Sequence, residues 1–168
     1  MTDVLGTMRR EGEAFAVRLE RTYAASPAEV WAAVTDPASI KRWLFADAIL
    51  EPRVGGRAEF RWSDAGGNAA IGSVLVWDPP RLLELSWAEQ DAGSIVRIEL
   101  KPLGLGTLLV LDHSGIALER TATGLGAGWH SHLVALGELL AGSDAVEDRW
   151  WSLYQSVRPR YEELARRL

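Results

Sequence analysis

The stretch Ser26-Pro27-Ala28-Glu29-Val30-Trp31 decides the fold of this chain. A serine can cap the amino end of a helix, a proline suits the first helical position, and a glutamate three residues after the cap can reach back to the cap amide. The stretch therefore predicts a helix that begins at Pro27. It lies between one strand-like segment and a series of further strands, after which a long apolar helix follows. This order of strand, helices, sheet and helix predicts an α+β domain.

Alternation of apolar and polar residues predicts the strands on both sides of this helix. Before it, the alternation over residues 14–23 is typical of a half-buried strand. A second cap, Asp36-Pro37, predicts another short helix that ends near Arg42. Further on, five segments predict an antiparallel sheet: 57–62, 71–77, 82–87, 94–101 and 107–113. The turn Gly55-Gly56 precedes the first of them. The five segments are separated by turn residues at Asp64-Ala65-Gly66-Gly67-Asn68, Asp78-Pro79-Pro80, Asp91-Ala92-Gly93 and Leu103-Gly104-Leu105-Gly106.

From about residue 123 the apolar period becomes helical. Trp129, Leu133, Leu136 and Leu140 fall on one face of a helix over 123–141, which we expect to lie across the concave face of the sheet and to enclose a core or a pocket with it. A final segment over 145–168 also has helical spacing, and Pro159 is expected to kink or divide it. Its apolar stripe must cover something, either its own domain or a second copy of the chain.

Composition and charge exclude several classes of function. The 168 residues suit one domain, and the net charge of −5 argues against a general nucleic-acid surface. No cysteine is present, so disulfide and thiolate chemistry are excluded. The absence of cysteine also favours a reducing cytoplasm as the location. No signal-like or membrane-spanning apolar stretch is found, so we expect no membrane partner. We interpret residues 1–12 as a loose N-terminal lead-in, 13–142 as the domain and 143–168 as a helical C-terminal extension.

Several motifs, in this order, resemble the START-like SRPBCC superfamily and, within it, the heat-shock protein 90 ATPase activator homologue-like family. They are Arg21-Thr22-Tyr23-Ala24-Ala25-Ser26-Pro27-Ala28-Glu29-Val30-Trp31, Val54-Gly55-Gly56-Arg57, Val76-Trp77-Asp78-Pro79-Pro80-Arg81-Leu82, and Gly128-Trp129 with Leu133 and Leu136. The resemblance covers residues 14–142. It implies a helix-grip (START/Bet v 1-like) fold, in which a curved antiparallel sheet wraps around the long helix and leaves a cavity for apolar ligands. It implies no reaction and no cofactor.

The three histidines do not predict a metal site. His130 and His132 lie two residues apart on a helix, so their side chains diverge by about 200°. We interpret His113 as a hydrogen-bonded residue in the wall of the core, with a general acid or base as the alternative. The run Gly124-Leu125-Gly126-Ala127-Gly128 lacks the lysine of a phosphate loop, and close packing of the helix start against the sheet explains it better.

Aromatic residues are the strongest functional signal, because the chain has eight tryptophans. Core packing can explain them, but rigid rings with a polar N–H also line ligand pockets. The candidate ligand-binding residues are Trp43, Phe60, Trp62, Trp87, His113 and Trp129. The leading hypothesis is a domain that binds a small hydrophobic or aromatic molecule. The alternatives are a cyclase- or hydrolase-type enzyme that uses His113, and a co-chaperone-like protein-interaction module. The C-terminal tail could also support a homodimer.

Overall fold

The computed structural model describes residues 4–63, 66–88 and 93–168, and within them the chain forms eight strands and four helices. In chain order these are β1 (Thr7–Glu11), β2 (Ala14–Tyr23), α1 (Pro27–Thr35), α2 (Pro37–Trp43), β3 (Ala46–Leu50), β4 (Arg57–Trp62), β5 (Ala69–Asp78), β6 (Leu82–Trp87), β7 (Ser94–Leu103), β8 (Gly106–Ile116), α3 (Glu119–Leu140) and α4 (Glu147–Ala165). None of the helices in these ranges is long and apolar enough to cross a membrane.

The described strands form one antiparallel sheet in the order β1-β2-β8-β7-β6-β5-β4-β3. The sheet curves around α3, which packs against β2 and β8. Leu133 and Leu136 of α3 are buried at 1% and 0% exposure, in the same core cluster as residues of β2, β7 and β8. The prediction of an α+β helix-grip fold with the long helix across the sheet is therefore confirmed.

The two predicted helix starts are formed as expected. At α1, the Glu29 amide donates to Ser26 Oγ at 3.3 Å, and the Ser26 amide donates to Glu29 Oε2 at 2.8 Å, which completes a capping box. At α2, the Ser39 amide donates to Asp36 Oδ2 at 2.9 Å. The two caps turn the chain away from β2 and return it to the opposite edge of the sheet at β3.

Three elements differ from the sequence-based prediction. Part of the predicted lead-in, Thr7–Glu11, forms strand β1. It pairs with β2 through backbone hydrogen bonds, which no side-chain pattern in its sequence indicates. Strand β3 was not predicted, because it is only five residues long and its sequence, Ala46-Asp47-Ala48-Ile49-Leu50, does not alternate regularly between apolar and polar residues. Helix α3 begins at Glu119, four residues earlier than the change of period. The predicted turns at 64–68 and 91–93 lie partly outside the described residues.

Pro159 does not divide the tail, because α4 continues through it as one helix. A proline removes the hydrogen bond to the carbonyl four residues earlier, here that of Gln155. Both Pro159 and Gln155 are exposed, so water can solvate that carbonyl. Of the two predicted effects of Pro159, a kink or a division of the helix, the division is wrong for this reason.

Helix α4 docks on its own domain, against α3. Tyr161 is fully buried, and its hydroxyl accepts a hydrogen bond from the Gly6 amide at 2.9 Å and lies 3.2 Å from His130 Nδ1. A Cβ atom at Gly126 would lie 2.7 Å from Cδ1 of Tyr161. The glycines of α3 thus allow close packing, as expected, but the partner at Gly126 is α4 and not the sheet.

Candidate ligand-binding site

A cavity of about 590 Å³ opens between the β4 end of the sheet, α3 and the first two turns of α4. We call it the aromatic cavity. It is lined by Leu44, Phe45, Trp62, Ser63, Asn68, Trp87, Gly124, Leu125, Gly128, Trp129, His132, Glu147, Trp150, Trp151 and Tyr154. Its volume lies within the range of small-molecule sites, and most of its large side chains are aromatic.

Three of the six candidate residues, Trp62, Trp87 and Trp129, line the aromatic cavity. The rings of Trp87 and Trp129 are 5.5 Å apart, and those of Trp62 and Trp87 are 6.2 Å apart, so they form one continuous wall. The Trp62 indole N–H donates to the Leu44 carbonyl at 2.9 Å, which fixes that ring where β4 ends. Two strands and the long helix thus each contribute one ring.

The other three candidates, Trp43, Phe60 and His113, lie behind this wall. Phe60 is buried and stacks on Trp87 at 5.1 Å. The Trp43 indole N–H donates to the Ala33 carbonyl at 2.9 Å, and its ring lies 6.3 Å from that of His132. Each of the three therefore packs against a lining residue. None of the three lines the aromatic cavity, because core residues fill the space around them.

His113 is held in a chain of hydrogen bonds that links α3 to three strands. The Trp129 indole N–H donates to His113 Nδ1 at 3.0 Å, so the proton of the neutral ring is on Nε2, which donates to Ser94 Oγ at 3.0 Å. The Ser94 hydroxyl in turn donates to the Trp87 carbonyl. Both ring nitrogens are engaged and the side chain is fully buried. This geometry supports the structural interpretation of His113 and leaves no free nitrogen for acid–base catalysis in the cavity.

Stability is expected to fall as the pH is lowered, because of His113. Burial lowers the pKa of His113 to about 4, whereas an ordinary histidine has 6.5. Between pH 6.5 and pH 4 His113 binds a proton in the unfolded chain but not in the folded chain. The contribution of His113 to the free energy of unfolding is therefore fully present above pH 6.5 and is lost as the pH falls toward 4. The expected loss is about 1.4 kcal/mol per pH unit for this one group.

Urea unfolding of the wild type at about pH 7.5 and about pH 5.5 measures this loss. His113→Gln keeps a donor and an acceptor but does not titrate, so its stability should fall less between the two pH values. An equal fall in both proteins would contradict the assignment. The comparison is made above the titration range of most carboxylates, which keeps their contribution small.

His132 supplies a polar group to the cavity wall. Its Nδ1 donates to the Trp43 carbonyl at 3.0 Å, so the Nε2 of the neutral ring carries the acceptor lone pair. Burial also lowers the pKa of His132 to about 4, so the ring is uncharged at neutral pH. The site therefore presents a neutral imidazole among indole rings. The sequence placed His132 on the apolar arc of the helix but did not single it out as a site residue.

Helix α4 closes one side of the cavity, which sequence reasoning missed. Trp150, Trp151 and Tyr154 stack with ring distances of 5.3 to 5.9 Å, and Trp150 lies 4.8 Å from His132. The Trp150-Trp151 pair and the helical spacing were the available signals, but nothing in them showed which surface the helix would cover. The indole N–H groups of Trp87 and Trp150 are buried without a hydrogen-bond partner among the described residues.

Phe45 is a further site residue that the sequence did not single out. Its φ of 57° lies in the left-handed region, which is uncommon for a residue with a side chain. The backbone turns there between α2 and β3, and the Phe45 ring lies 6.1 Å from that of His132. Such strain persists only where the surroundings hold it, and here it directs a ring to the cavity.

The histidines do not converge in the described part of the chain. His130 contacts Tyr161 of α4, whereas His132 contacts Trp43 of α2, as expected from their spacing. No group of three or more histidine, cysteine, aspartate or glutamate side chains in the ranges 4–63, 66–88 and 93–168 is arranged to hold a metal ion.

Comparison with known proteins agrees with this architecture. The family described as "Activator of Hsp90 ATPase homolog 1-like protein" matches residues 24–141. The crystal structure of CalU16 from Micromonospora echinospora is 29% identical, with a TM-score of 0.75 and 96% of both chains covered. Protein MLL2253 from Mesorhizobium loti is 30% identical, with a TM-score of 0.69, over 77% of this chain and 99% of that one.

The solution structure of the BPP1335 protein from Bordetella parapertussis is 29% identical, with a TM-score of 0.71, over 92% of this chain and 87% of that one. No curated protein matches the chain significantly. The CalU16 match covers 96% of this chain, and the uncovered part is shorter than the 19 residues of α4, so the match includes at least part of that helix. The chain belongs to the Activator of Hsp90 ATPase homolog 1-like family of the START-like SRPBCC superfamily.

Proposed function

We propose that this domain binds a small hydrophobic or aromatic molecule in the aromatic cavity. The observation that carries the proposal is the open volume of about 590 Å³ with a continuous wall of indole rings. Such rings offer a large apolar contact area and favourable edge and face geometry to a planar guest. The neutral His132 adds one acceptor that could orient a guest without a charge.

Two observations favour this function over the alternatives. An enzyme that relies on His113 would need a free ring nitrogen in the cavity, but both nitrogens of His113 have partners behind the wall. A module that acts only through its surface needs no internal space, whereas this domain keeps a volume typical of small-molecule sites. The proposal therefore rests on the cavity and not on the family alone.

The neutral probe 1-pyrenebutanol tests the proposal, with binding followed by the fluorescence anisotropy of the pyrene group. Wild-type protein should bind it saturably, and Trp62→Ala should weaken binding about tenfold, because one ring of the wall is removed. Trp62 is only partly buried, so its loss is expected to leave the fold intact.

Trp31→Ala is the matched control. Trp31 is also partly buried and packs edge-on against Trp77 at 5.1 Å, but it does not line the cavity. Its replacement should leave the affinity unchanged. Equal affinities for the two variants would overturn the proposal, and so would the absence of saturable binding of both this alcohol and the corresponding carboxylate, 1-pyrenebutyrate.

A further inference from the structure

A second, more polar space adjoins the aromatic cavity. It has a volume of about 670 Å³ and shares four lining residues with the aromatic cavity: Asn68, Gly124, Leu125 and Tyr154. Its other lining residues are Gly67, Ala69, Arg120, Thr121 and Arg158. We call this space the basic groove, because its only charged lining residues among those described are the two arginines.

The basic groove stands out in a chain whose net charge is −5. Arg158 uses its Nε for an ion pair with Glu162 at 3.3 Å, and the rest of its guanidinium takes part in no other ion pair within the described ranges. Arg120 forms no ion pair or hydrogen bond with the residues that the structure describes. Guanidinium groups bind carboxylates through paired hydrogen bonds, so two of them beside an apolar cavity favour an anionic group.

The spacing of the lining residues along α3 and α4 limits the shape of a ligand that would occupy both the aromatic cavity and the basic groove. On α4, Tyr154 borders the aromatic cavity and Arg158 follows one helical turn later, about 6 Å along the axis. On α3, Arg120 stands one turn before Gly124, which borders both spaces. Both helices thus place a guanidinium about one turn from the shared residues. A ring system in the cavity with an acid on a short linker fits this distance.

The charge at the other end of the aromatic cavity determines which way round such a ligand would bind. Glu147 lines the aromatic cavity at the start of α4, two turns before Tyr154. A carboxylate there repels an anion, whereas the groove at the opposite end attracts one. We propose that the guest is an aromatic carboxylic acid, with its rings in the aromatic cavity and its carboxylate between Arg120 and Arg158. This inference rests on the proposed function, since it adds a polar end to the same ligand.

A pair of probes with one ring system separates the two ideas. The carboxylate 1-pyrenebutyrate and the alcohol 1-pyrenebutanol differ only at the end of the linker. Wild-type protein should bind the butyrate about tenfold more tightly at low salt, as hydrogen bonds to charged groups do. Added salt should weaken binding of the butyrate and leave that of the alcohol nearly unchanged.

The double variant Arg120→Gln with Arg158→Gln should lose this preference, with about tenfold weaker binding of the butyrate and little change for the alcohol. Arg53→Gln with Arg81→Gln is the matched control, because it removes the same charge at turns that line neither space. It should keep the preference.

Each outcome bears on one idea or on both. Equal binding of the two probes by the wild type, or an unchanged preference in the groove variant, overturns the aromatic-acid inference and leaves the proposed function standing. Failure of both probes to bind overturns the proposed function and the inference with it. Binding of the butyrate alone that is insensitive to Trp62→Ala would show a surface ionic contact and overturn both.

Discussion

Replacing Leu136 with alanine is expected to lower the free energy of unfolding by about 2–5 kcal/mol. Leu136 is 0% exposed and belongs to the core between α3 and the sheet. The truncation removes buried apolar surface and leaves a cavity. The cavity stays open because α3 is packed tightly against the curved sheet and cannot move to fill it. Urea unfolding followed by circular dichroism at 25 °C measures the change.

Leu105→Ala is the matched control, because the same side chain is fully exposed in the turn between β7 and β8. Its expected change is below about 0.5 kcal/mol. If both variants lose the same amount, or if Leu136→Ala loses nothing, the packing of α3 across the sheet is wrong. The wild type and both variants should keep the same denaturant slope, which shows that only stability has changed.

Tyr161→Ala is expected to cost about 3–5 kcal/mol, the range for a buried aromatic ring. Tyr161 is fully buried between α3 and the N-terminal segment, and Val157 and Ala165 of α4 are buried beside it. Its loss also leaves the buried Gly6 amide without its acceptor. Thermal and urea unfolding of the purified variant measure the effect.

Two further variants resolve how Tyr161 acts. Tyr161→Phe keeps the ring and removes only the hydroxyl, so a smaller loss of about 1–3 kcal/mol is expected. Trp151→Ala is the control from the same helix, because Trp151 is 51% exposed and should cost little. Equal stabilities for the alanine variants at 151 and 161 would contradict the docked position of α4.

Deletion of residues 145–168 tests the same docking together with the oligomeric state. The truncated chain should lose stability, because Ala127 of α3 and Leu5 and Met8 near the amino terminus lose their apolar partners. It should also lose probe binding, because one side of the aromatic cavity is gone. A dimer that becomes a stable monomer on truncation would instead favour an interface between two copies.

Local chemistry predicted most of the elements of the fold. The serine cap at Ser26 and the Asp36-Pro37 start involve contacts between residues three apart, so the sequence contains all the atoms that decide them. The strands of the central sheet were visible because each alternates or is bounded by turn residues. Strands β1 and β3 were missed because backbone pairing with a neighbour, and not a side-chain pattern, makes them strands.

The sequence named six candidate residues, and three of them line the aromatic cavity. Trp62, Trp87 and Trp129 line the cavity, but Trp43, Phe60 and His113 lie behind it. An aromatic side chain suits both a core and a ligand pocket, so its presence in the sequence does not tell which of the two it forms. Which rings face the open space depends on the sheet curvature and on the exact position of two helices, which no local pattern contains.

The sequence by itself determined the order of elements, the start of both short helices and the inward face of α3, because these follow from contacts over a few residues and from the helical period. Only the tertiary structure decided that α4 completes the cavity wall and that Arg120 and Arg158 border one groove. These residues lie on different helices, and their proximity depends on how Tyr161 seats α4 against Gly126. Long-range packing of this kind is cooperative, so it is not encoded in any single segment.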